Sequence, residues 1–129
     1  MTTVPPTIRT IKACGVEAAG DAWDAVRVPR SAGLDALAIL GHRSGAVLED
    51  PAAPALYFFI PRGTVAAWDV DGTRILGADD YVVIPPGRRT QGPGPHWRIC
   101  PVPDAWTTDA TVLEAALREA VTARAGRIR

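Results

Sequence analysis

Residues 55–60, Ala-Leu-Tyr-Phe-Phe-Ile, are apolar or aromatic at every position, and no other stretch of the chain restricts its fold as tightly. Successive side chains of a strand point to opposite faces of its sheet, so a strand of this composition has to be buried on both. The segment therefore predicts a central strand. Turn chemistry bounds it on each side. Asp50–Pro54 carries two prolines before it, and Pro61-Arg62-Gly63-Thr64 reads as a turn after it. A shorter strand over 46–49 lies so close upstream that the two must run antiparallel.

The remaining elements follow from periodicity and punctuation. Residues 23–28, Trp-Asp-Ala-Val-Arg-Val, suit a strand with imperfect alternation, stopped by Pro29. A helix over 31–41 follows, with Ser31 as its cap, Leu34, Leu37 and Ala38 at helical spacing, and Gly41 as its stop. His42 sits just past that stop, where it would meet the helix end. Arg74–Leu76, Tyr81–Ile84 and Trp97–Cys100 are further strands. Gly77–Asp80 reads as a turn between the first two, Asp71-Gly72 as a tight turn, and Pro85–Pro95 as a stiff loop. A C-terminal helix over 109–124, started by Thr107, Thr108 or Asp109, carries Val112, Leu113, Ala116, Leu117, Ala120 and Val121 as one apolar stripe. The expected fold is α+β: a single twisted, mostly antiparallel sheet of about six strands with both helices packed on it. Residues 1–20 are expected to form an irregular arm, 21–125 a single domain, and 126–129 a frayed basic tail.

Composition narrows the function. The 129 residues suit one hydrophobic core, and the formal net charge of zero argues against a global field for polyanions, so any basic patch must be local. The basic residues are thirteen Arg and one Lys. Arg forks match carboxylate and phosphate and stack on aromatic rings. Cys14 and Cys100 have no metal or redox spacing and are expected as free thiols in a reducing cytoplasm. The start of the chain does not read as a leader, and no apolar run approaches a membrane span. No Gly-x-Ser-x-Gly, phosphate-binding Gly-rich loop or His-x-x-x-His occurs.

The candidate ligand face is the end of the stiff loop and the strand behind it: Arg88, Arg89, Thr90, His96, Trp97 and Arg98. In this reading Arg88 and Arg89 pair with an anion, Trp97 offers a flat contact and His96 a donor. Glu49, Asp50 and Arg27 are outliers of that face. The competing catalytic set is Glu49, Asp50, Asp80 and His96, where carboxylates would gather a divalent ion, magnesium or manganese. Asp69, Asp71 and Asp79 read mainly as turn residues. Trp23, Trp68 and Trp106 read as core fillers.

Gly45–Asp50, an apolar strand ending in acids, Leu56-Tyr57-Phe58, and Tyr81-Val82-Val83-Ile84-Pro85-Pro86 with the downstream Trp97 together resemble the later half of the bifunctional DNA primase/polymerase domain of actinobacterial and phage proteins. From Trp23-Asp24-Ala25-Val26-Arg27-Val28-Pro29 onward the chain also looks like a group of small actinobacterial proteins. The resemblance implies nucleotidyl transfer with acids and divalent metal. The sequence departs from it at Leu48-Glu49-Asp50, where the family has Asp-x-Asp, and at Ala55, where the family has His. Asp79 or Asp80 stands at the third acid. The resemblance with these departures implies a scaffold without nucleotidyl transfer. Its expected role is binding, in regulation, of a protein partner or a nucleotide or nucleic-acid phosphate. An exposed strand edge would also allow a homodimer.

Overall fold

Residues 55–60 lie at the centre of the molecule because each face of their strand is covered by a different layer. The computed structural model describes residues 15–18, 23–62, 68, 70–76, 81–85, 89–101 and 107–128. In chain order the elements are β1 (Gly15–Ala18), β2 (Trp23–Pro29), α1 (Arg30–Leu40), β3 (Val47–Asp50), β4 (Ala55–Pro61), β5 (Arg74–Leu76), β6 (Tyr81–Ile84), β7 (His96–Ile99) and α2 (Ala110–Ile128). One five-stranded sheet has the order β5-β2-β4-β3-β7, every pairing antiparallel, with β4 third of the five. This is the α+β arrangement that the sequence predicts. None of the helices among the described residues is long and apolar enough to cross a membrane.

Alternation along β2 and β4 sorts the core into two layers. Val26, Val28, Leu56, Phe58 and Ile60 face the helices and pack against Ala36 and Leu40 of α1 and Leu113 and Leu117 of α2. Trp23, Ala25 and Phe59 face the other way, with Leu48 and Trp97. Trp23 meets Phe59 edge-on at 5.0 Å between ring centroids, and Phe59 meets Trp97 at 6.0 Å. This second face is closed by β6, whose Val82 and Ile84 are buried against it. The imperfect alternation of β2 is thus the mark of a strand apolar on both sides.

The single sheet of about six strands is corrected on one point. β6 does not join the main sheet but pairs antiparallel with β1 in a separate two-stranded ribbon. Helices occupy one face of the sheet, so the aromatic residues of the other face need a different cover, and the ribbon supplies it. Within the expected irregular arm, residues 15–18 are therefore a strand; residues 1–14 and 19–20 lie outside the described residues, as does the 77–80 turn.

Helix boundaries differ from expectation for local reasons. α1 starts at Arg30 straight after Pro29, and no side chain caps it. Pro29 pre-sets a φ of −53°, and β2 runs into the helix without a loop in which Ser31 would act as cap. The Arg30 N–H donates instead to Pro54 O at 2.8 Å. At the other end Gly41 takes the expected positive φ, 57°. Arg43, rather than His42, donates to the last carbonyls, from Nε to Leu40 O and from Nη2 to Ile39 O. α2 is capped by Asp109, whose Oδ1 accepts from the Val112 N–H at 3.1 Å. It runs to Ile128, so residues 126–128 are helical rather than frayed. Thr108, also a cap candidate, is a buried staple: its Oγ1 accepts from the Gly45 N–H and its own N–H donates to Phe59 O.

α1 touches β4 at Gly33. A Cβ there would lie 2.8 Å from Leu56 Cδ1 and 3.1 Å from Leu56 Cβ, and Leu56 is fully buried in the central strand. Gly33→Ala is expected to lower stability by about 1–2 kcal/mol, although alanine favours an exposed helix by about 1 kcal/mol. Denaturant unfolding measures the sign; a stabilised variant would show that the contact has slack.

Candidate functional site

The functional side chains converge where β3, β7 and the first turn of α1 meet. Val47 faces the helices and Leu48 the ribbon, so Glu49 returns to the helix face. There the first residue of α1 is Arg30, whose Nε–H donates to Glu49 Oε2 at 2.7 Å. The second partner comes from a β-bulge. Leu48 pairs with Trp97 and Val47 with Ile99, so Arg98 is the extra residue of β7. Its Nη1 donates to Glu49 Oε1 at 2.8 Å. The bulge lets Trp97 enter the ribbon-side core while both Arg98 and Ile99 serve the helix side.

Glu49 is 5% exposed, which makes it one of the few buried charges of the described residues. Burial alone pushes its carboxyl pKa up. The hydrogen bonds from Arg30 and Arg98, with the charges of both guanidiniums, outweigh burial and hold it below its ordinary value. Its partners are less enclosed: the side chains of Arg30 and Arg98 are 46% and 37% exposed. A guanidinium has five N–H donors, and each of these contributes one to Glu49. The remaining donors are held in fixed directions at the surface.

His96 completes the cluster. It lies opposite Glu49 in the sheet register, with Nε2 3.6 Å from Glu49 Oε1. Its Nδ1 is 3.0 Å from Gly94 O, and a carbonyl only accepts, so Nδ1 carries the proton. Thr90, His96, Trp97 and Arg98 line an open pocket of about 370 Å³ whose far wall is Leu37 of α1.

The structure thus brings together four of the ligand-face residues read from sequence. Trp97 is present only as a buried neighbour, 1% exposed with its ring against Phe59, and offers no flat surface to a ligand. Arg89 turns back on its own loop, donating from Nη2 to Pro93 O, while its carbonyl accepts from the Trp97 N–H. Arg88 lies outside the described residues, as do Asp69, Asp79, Asp80, Trp106 and Cys14. Cys100 is a free thiol. Arg27 belongs to the ribbon face of β2, away from this cluster.

Of the set Glu49, Asp50, Asp80 and His96, Asp80 lies outside the described residues, and the three described members are not gathered as one site. Glu49 and His96 meet, but Asp50 is the next residue of the strand and points to the opposite face. Its Oδ1 accepts from the Ala52 N–H at 3.1 Å, which shapes the turn into β4. Asp71 is exposed in the turn closed by the Thr73 N–H to Val70 O bond. Arg30 escaped the sequence reading. It is nineteen residues from Glu49, and no local pattern links the two.

Comparison with family models, curated proteins and solved structures finds no match to this chain.

The depressed carboxyl of Glu49 makes a pH prediction. Its contribution to stability is complete above the unfolded pKa, about 4.3, and is lost as pH falls through the lower folded value. Glu49→Gln is expected to lower stability by about 2 kcal/mol at neutral pH and to match the wild type in strong acid. Denaturant titrations at pH 7 and at successively lower pH read the difference; a loss that does not shrink as pH falls would mean that shape, not charge, is what matters at this position.

Proposed function

We propose that this chain is a non-catalytic binding domain, on a scaffold resembling part of the DNA primase/polymerase domain, that holds a phosphate of a nucleotide or nucleic-acid strand beside Arg98. One observation carries the reading. Both carboxylate oxygens of Glu49 are engaged by arginines that stay partly exposed, and one of them, Arg98, lines an open pocket. A carboxylate so engaged orients cations. It would have to release both guanidiniums before it gripped a metal ion.

Pre-orientation is what an anion site needs, because guanidiniums already fixed lose little freedom when the ligand arrives. Arg98 supplies charge-assisted donors at the pocket wall, and Thr90 adds an exposed hydroxyl. Arg30 lies on the other side of the same carboxylate and extends the positive surface along the start of α1. The resemblance to primase/polymerase sequences supports a nucleotide or strand as the carrier of the phosphate. Asp50, tied into its turn, supports the loss of nucleotidyl transfer.

Calorimetry with a nucleoside triphosphate and with a short single strand, both in chelator, tests the reading. Binding is expected without divalent metal. Arg98→Ala is expected to weaken it at least about tenfold and to reduce its salt slope by about one. Binding that needs manganese, or that ignores Arg98→Ala, would sink the proposal. Flat titrations with every nucleotide and strand would point instead to a protein partner.

A further inference from the structure

Arg27 of β2 stands directly opposite Arg74 of β5. Side chains opposite one another on antiparallel strands lie within about 5.5 Å at Cβ, where like charges repel. The neighbour of Arg27 on its other side is Tyr57, not an acid. Arg27 is half-buried, and no hydrogen bond or ion pair holds it among the described residues. Arg74 has an interaction of its own within the chain, and the strand register places it beside Arg27. Charged side chains out of full contact with water are ordinarily paired. Here a guanidinium is set against a second guanidinium instead.

The two arginines line a pocket of about 240 Å³. Its walls are rigid. Thr73 accepts from Trp68 Nε1 at 3.0 Å and donates from Oγ1 to Val70 O at 2.8 Å, which locks the turn on one side. Pro54 is tied through its carbonyl to the Arg30 N–H on the other. Gly72, at a φ of 82°, presents no side chain to the opening.

We infer that this pocket is a second anion site, in which Arg27 and Arg74 grip a phosphate monoester. Two facing guanidiniums match a doubly charged group with three terminal oxygens better than they match a carboxylate with two. The volume lies below the roughly 300–1,000 Å³ of pockets that enclose drug-sized molecules, so the phosphate and little else enters. The site is independent of the Glu49 cluster. The row Arg74, Arg27, Tyr57, Leu48, Trp97 runs across the whole sheet; Arg74 is on the edge strand opposite β7, Arg27 is next to it, and Arg27 is on the other face from Glu49.

The test is the nitrogen-15 NMR signal of the Arg27 Nε–H, assigned by its loss in Arg27→Gln. It is titrated with inorganic phosphate, a sugar phosphate and a phosphoserine peptide at constant ionic strength. A saturable shift is expected in the wild type and equally in Arg98→Ala, and the tighter of the two esters tells a small metabolite from a phosphorylated protein. In chloride alone Arg27→Gln is expected to melt at or above the wild-type temperature, since it removes a repulsion. A signal that does not move, that drifts without saturating, or that moves only when Arg98 is intact overturns the inference. So does an Arg27→Gln chain that melts several degrees lower or fails to fold, because the arginine would then be structural.

Discussion

Everything in this fold follows from a central strand that needs cover on two sides. β4 is apolar throughout, so the chain must supply one layer above it and another below. α1 and α2 form the first layer and the β1–β6 ribbon helps to form the second. The close approach at Gly33 brings α1 down onto Leu56. That approach sets where the first turn of α1 ends up, at the mouth of β3 next to Glu49. Packing in the middle of the molecule thus decides the chemistry available at its rim.

At that rim a one-residue irregularity matters more than any motif. A regular β7 would keep Trp97 and Ile99 on the same face. With Arg98 bulged out, Trp97 packs with Phe59 on the ribbon side while Ile99 packs on the helix side. The guanidinium of Arg98 arrives within 2.8 Å of a buried carboxylate. Desolvation of Glu49 is offset by two charge-assisted hydrogen bonds, and the exposed sides of both arginines keep their hydration. The cluster is therefore stable without being closed, a combination that suits a binding surface.

A chain of zero net charge can still carry strong local fields. Two pairs of arginines do so here, by opposite means. Arg30 and Arg98 share an acid that orients them. Arg27 and Arg74 share a strand register and a pocket. The first pair is pre-organised by attraction and the second is placed by the pairing of β2 with β5.

The sequence alone determined the central place of residues 55–60, the antiparallel course of β3 and β4, both helices and the α+β class. Composition, periodicity and turn residues act locally, and each of these elements is a local consequence of them. It also singled out Thr90, His96 and Arg98, because a stiff Pro- and Gly-rich loop beside a cationic strand is visible in the residue order. Only the tertiary structure decided that β6 leaves the sheet for a ribbon, that Arg30 and not Arg89 is the cation beside the site, and that Arg27 faces Arg74. Those facts depend on strand register and on a single bulged residue. A shift of one position in register sends a side chain to the other face without altering the pattern from which strands are read.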